Sequence, residues 1–123
     1  MGSFWEGADF AQQDKVIEII TRLPFDNPKD PFYQKIESLF SKQGKSTFDS
    51  YSLPMMVLRF KQAIGRAQRR PEQRSAILLM DNRPLVKSYG KLFIKEVSQE
   101  VTLRHAPFKQ IKEDIQEFLE KEC

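Results

Sequence analysis

The sequence predicts an α/β fold, a short parallel sheet flanked by helices, and three observations carry that expectation. Residues 15–23 place Val16, Ile17, Ile19 and Ile20 together and end at Pro24, the pattern of a buried strand. Residues 76–80 (Ala76, Ile77, Leu78, Leu79, Met80) form a second short apolar run, closed by Asp81, that predicts a strand covered on both faces. The segments between and after these runs carry apolar residues at helical spacing. Strands so far apart in sequence are best joined in parallel through the intervening helices, by a right-handed crossover.

Each element has its own punctuation. The stretch Asp26-Asn27-Pro28-Lys29-Asp30-Pro31 reads as a loop, with Asp30 as a helix N-cap and Pro31 at the first helical position. The helix that follows is expected to bury Phe32, Ile36, Leu39 and Phe40 and to stop at Gly44. Residues 45–52 are polar, with Phe48 and Tyr51 interspersed, and predict a loop. A second helix is expected from about residue 54 to residue 70, stopped by Pro71, with Val57, Phe60, Ala63, Ile64 and Ala67 inward. Asn82 is expected to cap a third helix, with Pro84 in its first turn and Leu85, Leu92 and Phe93 along it. A last helix from about Pro107 carries Phe108, Ile111, Ile115, Phe118 and Leu119 on one side.

Composition narrows the function classes. A chain of 123 residues suits one domain of modest size. No apolar run approaches the roughly 20 residues that cross a bilayer, so no membrane span is expected. The N-terminal residues have neither a basic segment nor an apolar core of the secretory kind. A single cysteine, Cys123, excludes a disulfide framework and a thiolate metal cage, and fits a reducing, cytoplasmic setting. The net charge of +3 is a weak excess that only permits a polyanionic partner. Its distribution says more: Arg59, Lys61, Arg66, Arg69, Arg70 and Arg74 surround one acid, Glu72, whereas the end of the chain from Glu113 is acidic. Clustered guanidinium forks suit phosphate oxygens, and they suit a solvated helix face equally well.

Four local features bear on chemistry. Gly44-Lys45-Ser46-Thr47 copies the tail of a phosphate-binding loop, but the leading glycine is replaced by Leu39. The segment also follows a helix instead of opening one, so it reads as a helix C-cap. In Gln62-Ala63-Ile64-Gly65-Arg66-Ala67-Gln68-Arg69, positions 62, 66 and 69 share one helix face. Gly65 sits beside that face in a helix interior, where glycine costs about 1 kcal/mol relative to alanine, as if something approaches the backbone. The set reads either as a triphosphate-binding face or as a basic solvent face. Asp81 and Arg83, after the second strand, read as an ion pair or cap. The fourth feature is the N-terminal stretch Gly2-Ser3-Phe4-Trp5-Glu6-Gly7-Ala8-Asp9.

The order of these features carries a resemblance. Gln62-x-x-Gly65-Arg66-x-x-Arg69 resembles motif VI of superfamily 2 helicases. Together with Leu53-Pro54, Leu79-x-Asp81-x-Arg83 and Tyr89-Gly90 it resembles the C-terminal part of DinG-type helicases, in the XPD-like branch. Gly2 to Asp9 resembles that family's motif V, and Arg22-Leu23-Pro24-Phe25 with Asp30-Pro31 the strand and loop after it. The likeness runs from Gly2 to about Phe93. It implies that residues 1–96 are the C-terminal part of a second RecA-like helicase domain, and that residues 97–123 are a C-terminal extension with an amphipathic helix.

The resemblance further implies an ATP-dependent 5′–3′ DNA helicase whose nucleotide lies between two RecA-like domains. By position, Arg69 is then the arginine finger and Arg66 a second catalytic residue, as a phosphate contact or a cleft-organising arginine. Gln62, Gly65, Glu6 and Asp9 complete the ATP-binding set, and Gly2, Ser3, Trp5 and Gly7 touch the nucleic acid. Trp5 and Phe4 fit either base stacking or core packing. ATP and Mg²⁺ are the implied cofactors, with the Mg²⁺ ligands outside this chain. The implied partners are single-stranded DNA or a forked duplex and the upstream helicase domain, with no membrane and with self-association of the piece possible. The expected reading is a C-terminal piece beginning inside motif V and inactive alone. Two departures stand out: Ala67-Gln68 replaces bulkier apolar residues, and Val97-Ser98-Gln99 replaces a usual Ser-Leu-Pro. A non-enzymatic basic nucleic-acid-binding module and a protein-interaction module remain the alternatives. His105 lacks ligand-spaced partners, Met55, Met56 and Met80 are expected as core filler, and Lys87, Lys91 and Lys95 as a solvated row or a phosphate-tracking stripe.

Overall fold

The computed structural model describes residues 15–68 and 71–120. Its two strands, β1 (Lys15–Ile20) and β2 (Arg74–Leu79), pair in parallel, in register from Lys15 opposite Arg74 to Ile20 opposite Leu79. The Met80 N–H donates to the Ile20 carbonyl at 2.8 Å and extends the ladder. Between the strands lie helix α1 (Pro31–Lys42), a π-helical turn (Phe48–Ser52) and helix α2 (Leu53–Ala67). After β2 come α3 (Arg83–Val86), α4 (Gly90–Val97) and α5 (Phe108–Glu120). The α/β order and the parallel pairing are those expected from the sequence.

Helix α2 organises the core. Its apolar residues recur at three- and four-residue steps, so Leu53, Met56, Val57, Phe60, Ala63, Ile64 and Ala67 make one stripe, and all seven are buried. The stripe packs with Ile20 and Leu23 at the end of β1 and with Phe93 and Val97 of α4. Phe60 and Phe93 meet edge to face, with ring centroids 5.0 Å apart. Two ion pairs pin the outer side of α2. Arg59 donates to the Asp26 carboxylate at 3.0 Å and to the Pro24 carbonyl at 3.2 Å, and Lys61 reaches Glu96 at 3.1 Å.

Helix α1 starts as expected. The extended Asp30 accepts the Phe32 N–H on its carboxylate at 2.8 Å, and Pro31 occupies the first turn. It also ends as expected, with Gly44 at φ 70° and the Gly44 and Lys45 amides returning to the Ser41 and Phe40 carbonyls. Its burial differs: no residue of α1 is buried, and Phe32 is 65% exposed. Periodicity identifies an apolar face but not what lies opposite it. Among the described residues only Tyr33 and Phe40 of this helix have ring neighbours, both meeting Tyr51.

Four further expectations are corrected. Residues 48–52 form a π-helical turn continuous with α2 instead of a loop; this turns Ser52 inward, under the Tyr33 hydroxyl at 3.0 Å. Helix α2 stops at Ala67, before Pro71 is reached. Gln68 leaves helical geometry (φ −119°, ψ 86°), and its side-chain amide accepts from the Ser75 hydroxyl at 2.7 Å and donates to the Gln73 carbonyl. Strand β2 is half-buried throughout instead of covered on both faces, and Met80, 50% exposed, is not core, whereas Met56 is fully buried. The third helix is divided into α3 and α4, because the chain turns extended at Lys87 and restarts at Gly90. The last helix begins as expected; the Lys15 ammonium donates to its Leu119 carbonyl at 3.0 Å, and the Arg74 guanidinium lies 5.3 Å from the Phe118 ring centre.

Candidate functional site

Gln68, just past the end of α2, bonds to Gln73 and Ser75 at the start of β2, so the last turn of α2 lies at the end of the sheet where both parallel strands begin. Gln62, Gly65 and Arg66 occupy the last turns of α2, away from the buried stripe of Phe60, Ala63, Ile64 and Ala67. Gln62 and Gly65 are exposed and Arg66 is half-buried. A methyl group built on Gly65 would meet nothing within 4 Å, so the backbone is open to a group outside the described residues. The Arg66 cation in the last turn also complements the negative end of the helix dipole. An amide, an open backbone and a guanidinium therefore converge on one surface.

Behind this surface sits Glu18, in the middle of β1. It shares the inward face with Val16 and Ile20 and is 4% exposed, and its Oε2 has no hydrogen-bond partner among the described residues. Burial pushes its pKa up, and the Arg66 charge opposes that rise. A charged residue at the in-facing register of a β-branched run was the signal for Glu18 in the sequence.

At the opposite end, where the strands finish, Asp81 joins the two strand ends. Its carboxylate accepts the Leu23 N–H at 2.9 Å, the Arg83 N–H at 3.0 Å and the Arg83 guanidinium through Nε at 2.8 Å. Partial burial alone would raise the Asp81 pKa, but the hydrogen bonds from Arg83 and Leu23 outweigh it and hold it at about 2. The ion-pair reading of Asp81 and Arg83 is the one seen. Beside them Phe25, Phe48 and Tyr89 gather into an aromatic cluster that sequence reasoning did not assemble. Those three rings come from separate segments, and only the fold brings them together.

The remaining sequence-derived site residues, Arg69 and Gly2, Ser3, Trp5, Glu6, Gly7 and Asp9, lie outside the described residues. Gly44 closes α1 as a helix end, but contrary to the sequence expectation Ser46 and Thr47 then open the π-helical turn leading into α2, where the Ser46 hydroxyl accepts the Asp49 N–H at 3.2 Å. Among the described residues no group of three His, Cys, Asp or Glu side chains is placed to hold a metal ion. No described helix is long and apolar enough to cross a membrane.

Comparison with known proteins places this geometry in context. The helicase C-terminal domain family matches residues 1–100. The chain is 40% identical over 91 residues to the 3′-5′ exonuclease DinG of Bacillus subtilis, a match covering 74% of this chain and 10% of that protein. It is 35% identical over 92 residues to the ATP-dependent DNA helicase YoaA of Escherichia coli, covering 75% of this chain and 14% of that protein. A 3′-5′ exonuclease DinG of Staphylococcus aureus is 35% identical over 116 residues, covering 94% of this chain and 12% of that protein. No solved structure gives a significant match. The chain thus spans between 10% and 14% of the length of these relatives. With a match over residues 1–100 and an arginine-bearing helix end set against the start of a parallel sheet, the chain belongs to the helicase C-terminal domain family.

Proposed function

We propose that the chain supplies one wall of the nucleotide site of an ATP-dependent DNA helicase, the other wall coming from an upstream RecA-like domain. The single observation that carries this reading is the open surface shared by Gln62, Gly65 and Arg66 on the last turns of α2, within a helicase C-terminal domain. ATP bound there meets a polar amide, an unobstructed backbone and a half-buried cation. Arg69, three residues beyond Arg66, acts as the finger on the γ-phosphate. Glu6 and Asp9 of the motif V-like stretch complete the ATP set, and Gly2, Ser3, Trp5 and Gly7 meet the DNA strand. Mg²⁺ is held by the upstream domain. Movement is 5′ to 3′ on single-stranded DNA, residues 1–96 form the helicase unit, and residues 97–123 form an appended extension.

Charge at the equatorial phosphate oxygens must be met as the γ-phosphoryl group leaves, and an arginine finger contributes about 10³–10⁵ in rate. Replacing Arg69 by alanine in the polypeptide that joins this chain to its nucleotide-binding domain is expected to raise the activation barrier by on the order of 4 kcal/mol. Replacing Arg66 by alanine is expected to weaken ATP turnover as well. DNA-stimulated ATP hydrolysis measures both, and wild-type turnover in the two variants would refute the assignment.

The alternative of a simple basic module loses support from the ion pairs. Arg59 and Lys61, the first cations of the basic segment, are committed to Asp26 and Glu96. The segment is therefore not a continuous stripe of unpaired charge.

A further inference from the structure

The cluster at the carboxyl ends of the strands has Phe25 and Tyr89 packed against the core and Phe48 left at its surface. Phe25 and Phe48 stack with centroids 5.8 Å apart and 27° between planes; Tyr89 closes the group at 5.9 Å from Phe25 and 5.4 Å from Phe48. Phe48 remains 38% exposed, so this ring is reachable from solvent. It is carried on the π-helical turn, a conformation that is rare and concentrates at functional sites. The rings, with Arg83 and Lys87, line an open cleft of ≈ 470 Å³, within the size range of small-ligand sites. Phe25 follows β1 and Arg83 follows β2, so the cleft lies outside the carboxyl ends of parallel strands, where open α/β sheets receive ligands.

Charge around the cleft selects the occupant. Asp26, which also lines it, is matched by Arg59 at 3.0 Å, and Arg83 is matched by Asp81. Lys87 is exposed and has no carboxylate partner among the described residues, so the surplus at the cleft is positive. The Arg83 guanidinium lies 5.3 Å from the Phe25 ring centre, so the exposed ring is Phe48; its face beside an unmatched ammonium suits a flat ring joined to an anion, which is the chemistry of a nucleotide unit. A duplex stacks its bases on each other and offers no free face, whereas an unpaired base does.

We propose that Phe25, Phe48 and Tyr89 form a stacking cleft for an unpaired base of single-stranded nucleic acid, with Lys87 on the adjoining phosphate. This inference rests on the nucleic-acid reading given above, but it uses the end of the sheet opposite Arg66 and none of the residues assigned there. It assigns the strand a second point of contact, separate from the motif V-like residues.

The test is an NMR titration of the whole chain with a short oligothymidylate, with a blunt duplex of equal length as control. Ring resonances of Phe25, Phe48 and Tyr89 are expected to shift with the single strand and not with the duplex. Phe48→Ala should weaken single-strand binding roughly 5- to 100-fold, Phe48→Trp should restore it, and Lys87→Gln should flatten its salt dependence. Circular dichroism checks that the exposed-site variants keep the fold. Silent rings, an unaffected Phe48→Ala variant, or equal response to the duplex would overturn the proposal and leave the cleft to a protein segment. ATP turnover that depends on Arg66 while the rings stay silent would sink the cleft alone. Ring shifts with turnover indifferent to Arg66 would sink the nucleotide-site reading alone.

Discussion

Two carboxylates show how burial and partners decide what an acidic residue does. Asp81 is held at a pKa of about 2, below its ordinary 3.8, so its stabilising contribution is present above about pH 4 and is lost as pH falls through about 2. Asp81→Asn removes the charge that the Leu23 and Arg83 donors address. It is expected to cost on the order of 1–2 kcal/mol at neutral pH, tempered by the partly solvated Arg83, and to flatten the acid limb of the stability profile. Circular dichroism along an acid titration of both proteins checks this. Glu18 works in the opposite sense. Its folded-state pKa is raised from 4.5, so below that pH both states are protonated and nothing is lost, while above it the unfolded chain ionises more readily and stability falls. Glu18→Leu is expected to stabilise the chain by about 1–2 kcal/mol at pH 7, with the gain shrinking toward pH 4.5. Urea unfolding at the two pH values measures it. The same substitution strips Arg66 of the carboxylate behind it.

Among the elements, α1 and α2 have similar apolar periodicity and different fates. The stripe of α2 faces strands and α4 and is buried, whereas that of α1 meets the π-helical turn through Tyr33 and Phe40 and leaves none of its residues buried. Their glycines differ in the same way. Gly65 has empty space where a side chain would go, so Gly65→Ala is expected to raise stability by about 0.5–1 kcal/mol through helix propensity alone. A thermal melt reads that gain, and a simultaneous loss of ATP turnover in the joined polypeptide would mark the close approach expected of a nucleotide. Gly90 begins α4 against α3, and a methyl there would collide with the Pro84 carbonyl. Gly90→Ala is therefore expected to destabilise by about 2 kcal/mol or more, because the obstacle is backbone and cannot rotate aside. In the sequence, Tyr89-Gly90 is part of the resemblance to DinG-type helicases. The reason for the glycine, close approach of two helix ends, needed the fold.

At the level of the whole molecule, the parallel pair has no third strand among the described residues, and its outer face carries Ile19 at 55% exposure. Phe32 and Leu39 on α1 and Phe108 and Leu119 on α5 are also exposed. Unpaired strand edges and uncovered apolar faces drive association when no further layer covers them. Sedimentation of the chain alone is expected to show self-association that grows with concentration, and Ile19→Lys is expected to reduce it. A strictly monomeric wild-type chain at high concentration would contradict this.

The two strands, the Asp30 cap, the Gly44 stop and the inward stripe of α2 were legible in the residues, because each depends on local periodicity or on a single cap. So was the set Gln62, Gly65 and Arg66, whose spacing alone puts it on one helix. The early end of α2 was not, because Gln68 departs from the helix to reach Ser75 and Gln73 across the turn. Nor was the Phe25, Phe48 and Tyr89 cleft, since residues remote in sequence meet only when β1, the π-helical turn and the α3–α4 junction are packed at one end of the sheet. Local order is written in neighbouring residues. Burial, charge pairing and convergence depend on what the fold sets opposite them, and tertiary structure alone decides that.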